Sequence, residues 1–350
     1  MDLAVLAILA GSFAIILVGA ELFTNGIEWL GRRLNLGEGV VGSILAATGT
    51  ALPETLIPIV AIGFGGAGAT TDEIGVGAIL GAPFMLSTLA LAVTALGVLV
   101  RARRAPARQT LRLDGAVVGS DLRFFYLAYA IAVASALVPG EWQPVRWLAS
   151  VALVLVYVAY VRMHLRGGPA DMEVELAPLH LGRIAPLRTR AADPPVAMVA
   201  AQVGLALLAI IAGAVAFVGA VEELSHELGI APAVLALIIA PIATELPEKF
   251  NSIIWVRQGK DTLAIGNITG AMVFQSCLPV IVAILFAPAS WTLSAETLPA
   301  FASAGIAFVS SAVIFWPMWR GGALTGRRLL IGGAFYLGYL IFLVGTLPGG

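Results

Sequence analysis

Long apolar runs alternate with short polar loops along nearly the whole chain of 350 residues. The runs have the length, about 20 residues, that a helix needs to cross the ~30 Å hydrocarbon core of a bilayer. We therefore predict an all-α integral membrane protein with ten transmembrane helices. The predicted spans are 3–30, 38–64, 73–100, 119–139, 145–163, 196–224, 231–256, 261–287, 297–318 and 327–347.

The loops between these runs alternate in the sign of their charge. Arginine and lysine follow the odd-numbered spans, and Asp or Glu follows the even-numbered ones, at 72–73, 141, 222–227 and 296. Because Lys- and Arg-rich loops stay in the cytoplasm, both termini should face outward. Arg146 and Lys249 are the two basic residues that fall outside this pattern.

Composition supports the same protein class. Hydrophobic residues make up 59% of the chain and charged residues 12%, and the mean hydropathy is +0.97. A soluble domain carries about 25% charged residues. The single cysteine, Cys277, can form neither an internal disulfide nor a thiolate metal cluster, so neither is expected.

One polar linker, 164–195, divides the chain into two halves of five predicted spans each, 1–163 and 196–350. Five is an odd number, so the second half enters the membrane with the opposite orientation from the first. The expected architecture is therefore an inverted repeat, with corresponding motif regions at 38–90 and 231–287.

The two halves share a motif that breaks an apolar run. Residues 46–54 read Ala-Ala-Thr-Gly-Thr-Ala-Leu-Pro-Glu, and residues 240–248 read Ala-Pro-Ile-Ala-Thr-Glu-Leu-Pro-Glu. A charged side chain at mid-membrane depth costs roughly 2.5–3.5 kcal/mol on insertion scales. Carboxylates kept there twice, at matched positions, predict a site that binds a cation.

The chemistry of the motif fits a hard cation. Proline lacks an N–H and displaces the carbonyl four residues earlier, so the breaks free the carbonyls of Gly49 and Ala243. Each motif also places a hydroxyl and a carboxylate four residues apart on one helical face. Two such sets would supply the six to eight oxygens that Ca²⁺ prefers. The hydroxyl and carboxylate residues are Thr50, Glu54, Thr244 and Glu248.

Further polar residues lie near the second motif. Glu245 is on nearly the same face as Glu248, and with no cation bound we expect one of these crowded carboxylates to take up a proton. Lys249 fits either an ion pair or a built-in cation. Asn267 is a candidate oxygen ligand whose counterpart in the first half is Ala78, so the two halves differ chemically.

These residues resemble a known family. The segments from Gly19 through Glu54 and from Gly219 through Gln275 are similar to the two α-repeats of the sodium/calcium exchanger superfamily of calcium:cation antiporters, as a divergent bacterial-type member. The resemblance implies ten spans and a central calcium site built from the paired Thr and Glu residues of the two motifs.

The chain departs from the family pattern at the positions that help to form sodium sites. Ala51 and Glu245 stand where a serine usually precedes Leu-Pro-Glu, and Leu86 and Gln275 stand where Asn or Asp is usual. Several neutral oxygens are therefore missing and one carboxylate is added. These changes favour a divalent cation as cargo and leave H⁺ and Na⁺ both open as the coupling ion, with H⁺ preferred.

Three functions compete at this stage. The favoured one is a secondary antiporter that moves Ca²⁺, or a similar divalent cation, in exchange for H⁺ or Na⁺ by alternating access. An intramembrane enzyme and a cation channel are the alternatives. We expect no catalytic reaction and no cofactor. The expected partners are inorganic cations and the bilayer of the cell membrane, without nucleic acid, and a monomer would suffice.

Overall fold

The protein is almost entirely helical over the residues that its computed structural model describes, which are 3–33, 51–64, 69–104, 109–165, 176–183, 194–230, 235, 252–253 and 255–346. The helices are α1 Leu3–Arg33, α2 Leu52–Phe64, α3 Ala69–Met85, α4 Leu91–Arg104, α5 Gly115–Ala136, α6 Gln143–Leu165, α7 Val196–Leu228, α8 Asp261–Phe286, α9 Leu298–Trp319, α10 Gly326–Leu329 and α11 Ile331–Thr346. A π-helical turn, Leu86–Ala90, joins α3 to α4 without a break, and a 3-10 turn covers Leu181–Arg183.

Eight segments of the described chain are long and apolar enough to cross a membrane. They are Leu3–Ile27, Asp72–Arg103, Gly115–Ala136, Gln143–His164, Val196–Leu228, Asp261–Phe286, Leu298–Trp319 and Gly326–Leu343. These match eight predicted spans. The other two, 38–64 and 231–256, lie largely outside the described residues, so the count of ten stays a prediction.

Local sequence explains where several helices begin and end. The Asp114 side chain caps α5 by accepting hydrogen bonds from the main-chain N–H groups of Ala116 and Val117. Thr325 caps α10 through Arg328 N. α7 ends at Gly229, whose φ of 63° is the left-handed conformation that glycine adopts most easily.

The helices pack as two groups. One apolar cluster joins α3–α6 to α8–α11, and a second, smaller cluster joins α1, α7 and α2 with a few residues of α3. α1 and α7 approach closely at glycines: a Cβ at Gly19 would lie 2.7 Å from Ile210 Cγ1, and one at Gly26 would lie 2.7 Å from Val203 Cγ2. Small residues permit such close helix packing. The two long helices thus form a tightly fitted pair beside the larger bundle.

Packing partners recur with the two halves exchanged. α5 of the first half packs on α8 of the second, and α9 of the second half packs on α3 of the first. In the same way α6 packs on α8, and α11 packs on the π-helical turn and α4. The larger bundle therefore interleaves the two halves of the chain.

Part of the linker docks on the α1–α7 pair. The main-chain oxygen of Ala177 accepts hydrogen bonds from Asn25 Nδ2, at 3.3 Å, and from Trp29 Nε1, at 2.9 Å. The Leu181 N–H donates to Gln202 Oε1 at 2.7 Å, and Gln202 Nε2 donates to Asn25 Oδ1 at 3.0 Å. Residues 176–183 thereby connect both helices at one end.

Two arginines connect other elements through buried hydrogen bonds. Arg101, at the end of α4, pairs with Asp261 at the start of α8, with Nη1 2.5 Å from Oδ1. Arg146 is buried and donates to the main-chain oxygens of Val138 and Pro288, the latter at 2.6 Å. The position of Arg146 outside the basic loops thus has a structural cause.

Candidate functional site

The structure describes only part of the predicted cation site. Gly49, Thr50, Ala243, Thr244, Glu245 and Glu248 lie outside the described residues, and Glu54 is described as a position in α2 but not as a side chain. Asn267 and Gln275 are described in full and are both buried on α8. The geometry of the predicted site is therefore known at one edge of the first motif and along α8.

A helix begins within the first Pro-Glu motif. α2 starts at Leu52, so Pro53 and Glu54 occupy its first turn. Proline is well tolerated there because the first N–H groups of a helix have no intrahelical partner. Ala51 O accepts from Thr55 N at 3.2 Å and from the Thr55 hydroxyl at 2.7 Å.

Gln275 joins α8 to this motif. Its Nε2 donates to Ala51 O at 3.1 Å, so a side chain of the second half contacts the main chain next to Thr50. Gln275 is 1% exposed, and its Oε1 is buried without a hydrogen-bond partner among the described residues. An unsatisfied buried carbonyl oxygen costs about 1–3 kcal/mol, and it is the type of oxygen that Ca²⁺ accepts as a ligand.

Asn267 lies at a different depth from Gln275. The two residues are separated by two helical turns, about 12 Å along the helix axis at 1.5 Å per residue. Oxygens bound to one Ca²⁺ at 2.3–2.6 Å lie within about 5 Å of each other. One ion therefore cannot be bound by both side chains. A cation bound by Asn267 would lie at a second position along α8, separate from a cation bound by Gln275.

The corresponding part of the first half lacks the side-chain amide that Gln275 supplies in the second. Leu86, at the counterpart of Gln275, is buried and begins the π-helical turn. The hydroxyls of Ser87 and Thr88 beside it both donate to Phe84 O, at 3.0 and 2.6 Å. This turn therefore has an apolar side chain where the second half has an amide.

A buried polar cluster that the sequence reasoning missed lies between α5, α6 and α8. Asp121 Oδ2 accepts from the Thr269 hydroxyl at 2.6 Å, and Oδ1 accepts from the Tyr160 hydroxyl at 3.1 Å. His164 Nε2 lies 3.3 Å from the same Oδ1. The His164 side chain is 9% exposed, so this histidine is part of the buried cluster. An acidic residue inside a predicted apolar span was the available signal.

Within the described residues, no three His, Cys, Asp or Glu side chains converge as a metal site would require. The Asp121 cluster contains one carboxylate, one imidazole and two hydroxyls.

Comparison with known sequences assigns the family. The sequence model of the family described as sodium/calcium exchanger protein matches residues 4–165 and 198–347, which is most of both halves. The chain belongs to the sodium/calcium exchanger protein family. It is also 27% identical over 294 residues to a protein of Alkalimonas amylolytica that bears the antiporter name CaxA, covering 82% of each chain. An uncharacterized membrane protein of Methanocaldococcus jannaschii is 22% identical over 253 residues, 72% of each chain.

Solved structures agree with this family at the level of the fold. The H⁺/Ca²⁺ exchanger CAX superimposes with a TM-score of 0.74 at 18% identity, covering 99% of this chain and 82% of that one. The sodium-calcium exchanger NCX_Mj superimposes with a TM-score of 0.60 at 17% identity, covering 99% of this chain and 100% of the other. This exchanger chain is thus a multi-pass helical membrane protein with the fold of cation exchangers.

Proposed function

We propose that this exchanger is a secondary antiporter that moves Ca²⁺, or a similar divalent cation, across the membrane in exchange for H⁺ or Na⁺. The observation that carries the proposal is the family match over both halves, each of which contains one Pro-Glu motif at corresponding positions. Relatives of the same fold include an H⁺/Ca²⁺ exchanger and a sodium-calcium exchanger. Family membership favours antiport over the channel and the intramembrane enzyme.

The central site that we propose consists of oxygens from both halves. Thr50, Glu54, Thr244 and Glu248 supply hydroxyls and carboxylates, and Gly49 and Ala243 supply main-chain carbonyls. The buried Oε1 of Gln275 supports this assignment because it has no partner among the described residues and lies on a side chain bonded to the first motif. We place Glu245 at the same site and Asn267 two turns away along α8. The bound cation is cargo, and we propose no cofactor and no catalytic reaction.

The architecture that we propose has ten spans in two inverted halves, 1–163 and 196–350, around a cytoplasmic linker 164–195. The exchange of packing partners between α5–α8 and α9–α3 supports the inverted repeat, because an internal two-fold axis converts one contact into the other. Both termini then face outward in the cell membrane. A single chain contains both motifs, so a monomer suffices.

For the coupling ion we propose H⁺. The residues Ala51, Ala82, Leu86 and Ala271 lack the neutral oxygens that sodium sites of this family use, and Glu245 adds a carboxylate. Sodium needs several neutral oxygens, whereas a proton needs one carboxylate that titrates near neutral pH. The solved exchangers are at most 18% identical to this chain, so their likeness supports the fold only. The proposal of H⁺ as the coupling ion therefore depends on the residues of this chain.

The moving element that we propose is the α1–α7 pair. Its helices pack closely on each other, form an apolar cluster separate from that of the larger bundle, and are joined by the linker residues 176–183. In transporters with inverted repeats, one helix group moves against another around a fixed site. We expect α1 and α7 to slide together past the bundle that carries α8.

The decisive experiment measures ⁴⁵Ca²⁺ flux in proteoliposomes at a clamped membrane potential. One set of vesicles carries a pH gradient without sodium, and another carries a sodium gradient without a pH difference. Counterflow of Ca²⁺ driven by either gradient supports antiport, and drive by the pH gradient alone supports H⁺ coupling. Ca²⁺ flux that follows only its own gradient and voltage would contradict antiport and indicate a channel.

A further inference from the structure

The imidazole of His164 has an oxygen atom next to each of its two nitrogens. Nδ1 lies 3.1 Å from the main-chain oxygen of Tyr160, and Nε2 lies 3.3 Å from Asp121 Oδ1. A neutral imidazole carries one N–H and one lone pair, whereas an imidazolium carries two N–H donors. Only the imidazolium can donate to both oxygens at once.

Both oxygens of Asp121 face donor groups. The Tyr160 hydroxyl donates to Oδ1, and the Thr269 hydroxyl donates to Oδ2. His164 Nε2, 3.3 Å from Oδ1, adds a further donor when it carries a proton. Protonation of the imidazole therefore completes the hydrogen bonds of this cluster.

This cluster connects to the helix that carries the proposed cation ligand. Thr269 lies on α8 between Asn267 and Gln275, about 9 Å along the axis from Gln275 at 1.5 Å per residue. In the related contact of the other half, Leu80 O accepts from Ser303 Oγ at 3.3 Å and from the Tyr129 hydroxyl at 3.5 Å. Hydroxyl groups make this contact without a carboxylate or an imidazole, so Asp121 and His164 distinguish the α8 side.

We propose that His164 and Asp121 form a second proton-binding site, separate from the central cation site, which holds α8 against α5 and α6 when it is protonated. Loss of the proton leaves a lone pair on one imidazole nitrogen opposite an oxygen atom, so one of the two contacts must open. The effect on transport rests on the proposed antiport function, whereas proton binding itself does not.

The charged and titratable groups around His164 come from three helices. Asp121 on α5 and Tyr160 on α6 contact its ring, and α8 contributes the neutral Thr269 to the cluster. Tyr157 and Cys277 lie beside Tyr160. The described charged residues Arg123 and Arg162, on α5 and α6, are exposed, and Asp261, at the start of α8, is paired with Arg101.

The proton exchanges with water at the end of the bundle that carries the linker. His164 is the penultimate residue of α6 and the first residue of the linker 164–195. Its side chain is 9% exposed whereas that of Asp121 is 2% exposed, so the proton enters through the imidazole. The pH on the linker face should therefore control the site, and the pH on the other face should not.

The first experiment measures proton binding without transport. Hydrogen–deuterium exchange at the C2 carbon of each histidine is followed by mass spectrometry on the full chain in detergent, because its rate reports the protonation of each ring. Asp121→Asn should lower the His164 midpoint by about one pH unit, a tenfold loss of proton affinity. A His164 exchange rate that does not change with pH in the wild type, or the same His164 midpoint in both proteins, would overturn the proposal.

The second experiment links the site to flux. Ca²⁺ flux in proteoliposomes is recorded while the pH of the linker face alone is varied. The wild type should show a pH step at the His164 midpoint, and His164→Gln, which can still donate to Asp121, should lose this step but retain flux. Thr269→Val should lose the step while its His164 midpoint stays within a few tenths of a unit. A step that persists in His164→Gln would overturn the link to transport, and absence of all wild-type flux would instead contradict the antiport function.

Discussion

Gln275 donates a hydrogen bond from its side-chain amide to the main-chain oxygen of Ala51, 3.1 Å away and on the other half of the chain. The same amide keeps a buried oxygen without a described partner. The Gln275 side chain thus has two roles. Its Nε2 bonds α8 to the residue before α2, and its Oε1 is an oxygen beside the first Pro-Glu motif that a cation could bind.

Replacement of Gln275 should separate these two functions. Gln275→Leu removes both the donor and the oxygen, and we expect the apparent affinity for Ca²⁺ to fall about tenfold, or ~1.4 kcal/mol. Gln275→Glu keeps oxygen ligands but loses the donor to Ala51, so it should bind Ca²⁺ better than the leucine variant. Calcium binding by isothermal titration checks both, with Gln143→Leu as the control. Wild-type affinity in Gln275→Leu would remove this residue from the site.

The paired glutamates of the two motifs should both be indispensable. Glu54→Gln and Glu248→Gln each remove one negative charge from a divalent-cation site, and we expect Ca²⁺ flux to fall at least a hundredfold with no change in the size-exclusion profile. Glu141→Gln, a change of an exposed acid at a loop, is the matched control and should transport normally. Normal flux in either motif variant would contradict the central-site model.

The added carboxylate of the second motif should determine the coupling ion. If Glu245 is the residue that exchanges its proton, Glu245→Gln should abolish Ca²⁺ flux driven by a pH gradient while Ca²⁺ still binds. The measurement is flux at clamped voltage with each gradient imposed separately. Strong drive of the wild type by sodium, with no response to pH, would instead mean that main-chain carbonyls replace the missing neutral side chains.

Helices α1 and α7 should move as one body. A Cβ at Gly26 would lie 2.7 Å from Val203 Cγ2, so cysteines at these two positions are close enough for a disulfide. In a Cys277→Ala background we expect this disulfide to leave exchange intact. A flexible bifunctional thiol reagent that joins Ala78→Cys on α3 to Ala214→Cys on α7, both in the smaller apolar cluster, should stop exchange and leave equilibrium Ca²⁺ binding measurable.

The two crosslinks test opposite ideas. Loss of exchange in the Gly26–Val203 disulfide would show that α1 and α7 slide past each other rather than together. Normal exchange in the α3–α7 crosslink would place the moving element elsewhere. Each result is compared with the same protein after reduction.

Arg146 should matter for stability rather than for transport. Its guanidinium donates to two main-chain oxygens and to Thr292 Oγ1, which connects α5, α6 and the segment after α8. Arg146→Ala removes the arginine donor from the part-buried main-chain oxygen of Val138, at about 1–3 kcal/mol, whereas Pro288 O keeps the Thr292 hydroxyl as a donor. We therefore expect a lower unfolding temperature in detergent and normal flux per folded molecule. Arg123→Ala, an exposed arginine on α5, is the control. An unchanged unfolding temperature would contradict this role.

Much of the membrane plan followed from the sequence. Apolar runs of spanning length predict helices because an unpaired backbone cannot lie in lipid, and eight of the predicted spans coincide with helices of the described chain. The Pro-Glu repeat, together with the family that it resembles, predicted an exchanger, and the family match over both halves confirmed this. The ten-span count and the residues of the cation site remain predictions.

Contacts between distant segments depended on the tertiary structure. Nothing in the local pattern pairs Asp121 with Thr269, which is 148 residues away, or Ala177 with Asn25. Hydropathy reports whether a segment enters the membrane, but lipid is as apolar as a protein core, so it does not report which face of a helix meets which neighbour. The sequence alone determined the helical spans and the two motifs. Helix packing alone placed His164, at the edge of the linker, beside the buried Asp121, which also accepts a hydrogen bond from Thr269 on α8.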